Sequence, residues 1–382
     1  MVPHAAPKKG SARLLMIASL IAAVAVAAFA SATSAAKSKP KPKPGPISIV
    51  PSGPPIPKLI AASKKEDGLI IYGNPPAALW APVIAAFNKL YPWVKVTPYD
   101  QGDAAAFSKY VAEHASGVPT ADLIVASAPN LWVYASRTKL ALDFTPFGLS
   151  AFPAFAKQYK GIYVMSPDPA IMIYNKLVLK DPSQVPTGVG DLAKKAAADP
   201  SAYKSTAYIV ENGFGYGADW GYVQGQGWSN LQALAPHTKV TESAATMVQT
   251  VAQGGATVAY LTSGLVRGVI RSNPQVSSVV GWTYEHDTTP LIPRGVAITA
   301  GAHSPNSAKL FLDFIFSKGG QQALCDVGFT SYMTTFQPHN CDYTLQALYA
   351  AVGKTHVYAV PFSQKFVNAK PGFVSTWHGY FK

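Results

Sequence analysis

Three short apolar runs alternate with two amphipathic stretches between Leu69 and Ser127, and this alternation narrows the fold more than any other feature of the chain. "LIIYG" (69–73) reads as a short buried strand ending at Gly73. "ALWAPVIAAFNKLY" (78–91) places Trp80, Val83, Ile84 and Phe87 on one helical stripe. "VKVTPYD" (94–100) is a second strand. "DAAAFSKYVAEHASG" (103–117) is a helix with Asp103 as its N-cap and Gly117 as its stop. "ADLIVAS" (121–127) is a third buried strand. A β-α-β-α-β order predicts a parallel, doubly wound α/β sheet. Ligands of such sheets lie beyond the carboxyl ends of the strands, which selects Gly73-Asn74-Pro75 and Ser127-Ala128-Pro129.

A second unit follows. "AIMIYNKLVL" (170–179) reads as a strand passing into a loop, "VGDLAKKAAAD" (189–199) as a helix and "STAYIVEN" (205–212) as a strand. "SAATMVQTVAQGG" (243–255) is a helix stopped by Gly254-Gly255, and "ATVAYLTSG" (256–264) is a strand with a polar exit. The chain then returns to the first unit. "GVAITAGA" (295–302) is a strand, and residues 306–328 are helical up to the Gly319-Gly320 pair and again after it.

The formal net charge of +13 suggests a nucleic-acid partner, but its distribution argues against one. Eight basic residues precede Leu59, leaving 24 basic against 19 acidic residues in the body. That mild surplus is no phosphate-binding footprint. Lys8, Lys9 and Arg13 precede an uncharged apolar run, Leu14–Ala30, followed by small residues. This is the pattern of a secretory signal over 1–36. An uncleaved N-terminal anchor is the alternative. Residues 37–65 read as a Lys/Pro-rich linker, extended because proline fixes φ and the lysines repel one another. In an exported chain, Cys325 and Cys341, 16 residues apart, predict one disulfide. Closing such a loop contributes about 3 kcal/mol in the loop-entropy account.

The order of these elements resembles that of the extracytoplasmic solute-binding proteins of ABC importers, in the group of ferric-iron, thiamine, polyamine, phosphonate and sugar-phosphate binders. "LIIYGN", "PTADLIVASAPNLW", "IMIYNKLV", "VAQGGATVAYLTSG" and above all "RGVAITAGAHSPNSAKLFLDFIFSKGGQQAL" carry the resemblance, together with the terminal "FVSTWHGYF". It implies a two-lobed, type II periplasmic-binding-protein fold joined by hinge strands. Residues 66–165 and 287–335 would form one lobe, and 166–286 and 336–382 the other. It further implies a monomer, exported to the periplasm or cell surface, that closes on a small solute and docks on a membrane permease. Neither catalysis nor a cofactor is needed. A ligand-binding module for a membrane sensor would share the same fold. A permease and an ATPase encoded nearby would favour import; a histidine kinase would favour sensing.

The group's iron branch uses a tyrosine pair after the strand matching "ATVAYLTSG". Gly264-Leu265 stand there, and Asn74-Pro75-Pro76 stand where a histidine would follow the first strand. Hard ferric iron therefore lacks its donors at those places, and no metal is expected, although a ferric-iron binder remains the alternative within the family. Polyamine binding would need acids, with Glu211, Asp219 and Glu242 as candidates. The expected contacts are Asn74, Ser127, Asn175, Asn212, Gly213, Phe214, Gly215, Tyr216, Tyr260, Thr262 and Ser263. Hydroxyls, amides and glycine N–H groups of this kind suit a neutral or anionic organic solute. Each has a competing structural reading: Asn74 and Ser127 as helix caps, Asn175 as a hinge-turn holder, Tyr174 and Tyr260 as core aromatics. Arg267, His114, His303 and His378 read as surface residues. A secreted enzyme is the alternative of another class, but GxSxG, HExxH, CxxC and Walker patterns are missing. Ser201 to Lys204 match SxxK without the accompanying motifs.

"IVENGFGYGADWGYVQGQGW" (209–228) holds six glycines. It is no dinucleotide fingerprint, because Ala218 or Trp220 falls where a third glycine belongs and no acid follows among Gln232–Lys239. The expectation is that Gly213–Gly217 bend toward the ligand, that a helix starts near Ala218, and that Phe214 or Tyr216 stacks on the solute.

Overall fold

The computed structural model describes residues 56–341 and 343–381. The expected signal and most of the expected linker lie outside them. Ile56–Ser63, expected within the linker, is helical and packs on the helix Pro305–Ile315. Among the described residues no helix is long and apolar enough to cross a membrane.

The strands are β1 (Leu69–Gly73), β2 (Val96–Asp100), β3 (Leu123–Ala126), β4 (Lys157–Tyr159), β5 (Ile162–Asn175), β6 (Ser205–Tyr208), β7 (Thr238–Thr241), β8 (Val258–Ser263), β9 (Val280–Tyr284), β10 (Thr289–Ile298) and β11 (Val357–Ala359). They follow the hydrogen-bonded path β2-β1-β3-β10-β5-β8-β6-β7. β1 pairs in parallel with β2 and β3, as the helical crossovers Ala77–Asn88 and Asp103–Ala115 require. β10 returns antiparallel between β3 and β5, so this half of the sheet is mixed. In the other half β6 lies parallel between β7 and β8. β5 joins the halves: Ile162–Pro169 pair with β10, and Ala170–Tyr174 with β8.

Both joining strands start earlier than the sequence suggests, β5 at Ile162 and β10 at Thr289. Prolines read as strand breakers, yet Pro167 faces Pro293 and Pro169 faces Leu291 across the pair. Spaced two apart, they leave the residues between them to carry the ladder.

Two helix boundaries also shift. The break after Pro305–Ile315 precedes the glycine pair, which lies in the first turn of Lys318–Asp326. A Cβ on Gly320 would stand 1.9 Å from the Phe314 carbonyl, so only glycine permits the turn. In the glycine-aromatic stretch the helix starts at Gly213, not near Ala218. Asn212 caps it, its Oδ1 accepting from the N–H groups of Phe214 and Gly215. Gly213, Gly217, Gly221 and Gly225 recur every four residues and so share one face. The last three lie against Ile292, Pro290 and Thr288 of the β10 segment. Bare backbone lets the helix settle on the strand. Cys325 and Cys341 form the expected disulfide, with Cα atoms 6.1 Å apart.

Candidate functional site

The carboxyl ends of β1, β3, β6 and β8 converge on one buried ion pair. Arg294, from β10, is 2% exposed. Its Nη2 donates to Asp168 Oδ2 on β5 at 2.8 Å, and its Nη1 donates to Asn74 Oδ1 just past β1. Ser263 at the end of β8 donates to the same Asp168 oxygen at 2.6 Å. The guanidinium also lies 5.6 Å from the centre of the Phe329 ring. These contacts meet most of the pair's donors and acceptors, which is what makes a buried charge pair tolerable. It ties Asn74, in one half of the sheet, to Ser263 in the other.

Asp103 stands beside this pair. It does not cap its own helix, as its position suggested: Gly102 occupies the N-cap, and Asp103 Oδ1 instead accepts from the Ser127 N–H at 3.0 Å. Burial raises its carboxyl to about 6, against the opposing pull of the Arg294 charge and the Ser127 N–H. Opposite lies Gly213, where an added Cβ would come within 2.8 Å of the Ala128 Cβ and 3.5 Å of Asp103 Oδ2. The two halves of the sheet therefore meet here. Tyr208, closing β6, is buried, and its phenol pKa is pushed well up by burial and by the Asp168 charge, so it stays neutral.

Buried polar atoms at this convergence lack hydrogen-bond partners. Among the described residues six buried side-chain atoms have no partner; Ser127 Oγ, Asn130 Oδ1 and Arg294 Nε are three of them, and Thr262 Oγ1, beside the Tyr208 phenol, is a fourth. Buried polar groups are nearly always paired. These atoms come from the segment after β3, from β8 and from β10, and they are free to hydrogen-bond a further group.

The other expected contacts divide. Asn74, Ser127, Thr262, Ser263 and Gly213 come together at the pair. Asn212 caps the neighbouring helix, Phe214 packs on Tyr208 with ring centres 5.5 Å apart, and Gly215 lies against Tyr208. Tyr216 is fully buried and donates to the Phe366 carbonyl at 2.7 Å, so its ring is core. Tyr260 is likewise buried, 3.1 Å from the Thr238 hydroxyl. Asn175 holds a turn at the far end of β5, through Val251 O and Leu177 N.

Arg267, expected at the surface, is 1% exposed. It donates to Gly264 O, Tyr284 Oη and Thr330 Oγ1 among three aromatic rings, which gives each of its nitrogens a partner. Of the acids considered, Asp219 lies in the core against Trp377, and Glu211 meets His378 at 2.6 Å. Among the described residues no group of three or more His, Cys, Asp or Glu side chains is placed to hold one metal ion.

Sequence reasoning missed Asp168, Arg294, Tyr208 and Asn130. A signal existed for the first two. "VMSPDPAIMIY" carries one carboxylate inside an apolar strand, and Arg294 precedes the apolar "GVAI". Each charge, once buried, needs a partner.

Residues 72–322 match the family model described as bacterial extracellular solute-binding protein. The fold is similar to that of the substrate-binding protein of an ABC transporter from Agrobacterium tumefaciens, at 20% identity and a TM-score of 0.72, covering 82% of this chain and 95% of that one. The periplasmic binding protein AfuA from Actinobacillus pleuropneumoniae, solved with fructose-6-phosphate, matches at 19% identity and a TM-score of 0.66, covering 82% and 98%. Iron-bound HitA from Pseudomonas aeruginosa matches at 15% and 0.61, covering 80% and 98%. No curated protein matches this chain. The architecture is thus the two-lobed α/β fold of periplasmic binding proteins, and the chain belongs to the bacterial extracellular solute-binding protein family.

Proposed function

We propose that this solute-binding protein is the substrate-binding component of an ABC importer. It takes one small organic solute between its lobes at the Arg294–Asp168 pair and delivers it to a membrane permease. The observation that carries this reading is the set of buried, unpaired atoms Ser127 Oγ, Asn130 Oδ1 and Arg294 Nε, which lie in one half of the sheet and are joined from the other half by Thr262 and Tyr208. A solute bearing hydroxyl or amide groups would satisfy them. β5 and the passage from β9 into β10 link the halves, which suits hinge closure around a ligand. The protein works as an exported monomer, in the periplasm or at the cell surface.

The test is a thermal-shift screen of the purified chain against sugars, sugar phosphates, phosphonates, amino acids, polyamines, thiamine and Fe³⁺, followed by calorimetry. One organic solute should bind 1:1 and, at 100 times its Kd, stabilise the fold by about 2.7 kcal/mol. Stabilisation by Fe³⁺ alone, with a phenolate charge-transfer band, would overturn this in favour of an iron carrier. Turnover of a compound in the panel would overturn it in favour of an enzyme.

A further inference from the structure

We infer that Asp103 is the group in this cleft that recognises a protonated nitrogen on the solute. This rests on the solute-binding reading of the site and names the chemical class of its ligand.

The charges around the pair do not balance. Arg294 supplies one positive charge and gives both terminal nitrogens to Asn74 and Asp168. Asp103 is a second carboxylate, and among the described residues it forms no ion pair. One of its oxygens is held by the Ser127 N–H; the other, Oδ2, lies toward Gly213 on the opposite lobe. The helix starting at Gly213 offers it only a weakened N-terminus, because Asn212 already takes the N–H groups of Phe214 and Gly215. Asp100, at the exposed end of β2, adds further negative potential. Closing two lobes over an unmatched carboxylate is costly unless something positive enters with it.

The unpaired atoms fit the same ligand. Ser127, fully buried, is fixed by Asp103 through its N–H while its Oγ has no partner. A ligand nitrogen at Asp103 Oδ2 therefore has an unused hydroxyl close by. The raised carboxyl of Asp103 is the expected behaviour of an acid awaiting its cation. A solute that carries a protonated amine beside hydroxyl groups, as a zwitterion or an amino sugar does, meets both the carboxylate and the unused hydroxyl, and charged amine–carboxylate hydrogen bonds are among the stronger ones.

The experiment compares matched pairs by calorimetry on the purified chain: glucosamine with glucose, glucosamine 6-phosphate with glucose 6-phosphate, phosphoethanolamine with ethyl phosphate, and putrescine with butanediol. The amine of at least one pair should bind at least tenfold more tightly than its partner. Asp103→Asn keeps an oxygen for the Ser127 N–H and should weaken that amine by about 10- to 100-fold, in line with the loss of a charge-assisted hydrogen bond. Its ligand-free melting temperature at pH 8 should be unchanged or higher, since an unmatched charge is gone. Asp103→Glu, which keeps the charge, should recover part of the affinity. Binding of an uncharged or anionic compound in preference to its amine, or unchanged amine affinity in Asp103→Asn, overturns the assignment and leaves solute binding intact. A panel with no binder overturns both.

Discussion

Asp219 offers a quantitative check on the packing that underlies the cleft. It lies in the helix Gly213–Gln226, 4% exposed, and its Oδ2 accepts the Trp377 indole N–H at 2.8 Å. Burial raises its carboxyl from 3.8 to about 7, despite the indole hydrogen bond. The folded state therefore holds the proton more tightly than the unfolded chain. The fold is at its best below the unfolded value, and stability is lost as pH rises from about 4 toward 7. At about 1.4 kcal/mol for each pH unit the loss reaches roughly 4 kcal/mol. Asp219→Asn keeps the acceptor for Trp377 and removes the charge. Its amide brings an extra donor, which costs about 1–2 kcal/mol if left unpaired. The net gain at pH 8 should then be roughly 2 kcal/mol, with parity or a small loss at pH 4. Urea unfolding of both proteins at pH 4, 6 and 8 measures it. A difference that stays constant across this range would refute the buried-carboxyl argument.

Glu66 should behave with the opposite sign. Burial pushes its pKa up, but hydrogen bonds from the side chains and N–H groups of Ser307 and Asn306 outweigh burial and leave it lowered. Glu66→Ala should cost about 1–3 kcal/mol at pH 7, and the cost should fade as pH drops below the ordinary glutamate value of 4.5; thermal melts at pH 7 and 3.5 read this out. Gly225→Ala should destabilise, because its Cβ would meet Thr288 Oγ1 at 2.5 Å. Gly372→Ala, with open space around it in the helix Gln364–Tyr380, should stabilise by about 0.5–1 kcal/mol; melting temperatures of the two variants should move apart. Replacing Cys325 and Cys341 together by serine should cost about 3 kcal/mol, measured by denaturant unfolding, and intact mass of the parent chain should show no free thiol.

The elements were legible where one physical signal dominated. β1 and the helix Val189–Ala198 lie within a residue of expectation, since apolar spacing and a clear stop agreed. β5 and β10 extend N-terminally beyond the apolar runs that revealed them, through segments that hold Pro167, Pro169, Pro290 and Pro293. Which side of a strand a proline faces depends on the neighbouring strand, and a single chain segment does not contain that information. Arg267 was misjudged for a related reason. Its partners Tyr284, Thr330 and Tyr343 lie 17 to 76 residues away in sequence, and only the fold assembles them.

The glycine-rich stretch drew attention as a ligand loop, and its role in the site is indirect. The four-residue glycine spacing lets the helix Gly213–Gln226 rest on the β10 segment along Ile292, Pro290 and Thr288. The helix holds five glycines, and each in its interior costs about 1 kcal/mol relative to alanine, so close packing must offset that cost. The packing fixes where the helix begins. It brings Gly213 against Ala128 and toward Asp103, one of the places where the two halves of the sheet meet. The polar chemistry comes from residues less conspicuous in sequence: one aspartate in an apolar strand, one arginine before another, and a helix-initial aspartate that holds Ser127. On the proposed reading, the glycines set how closely the two halves approach, and these charges set what fits between them.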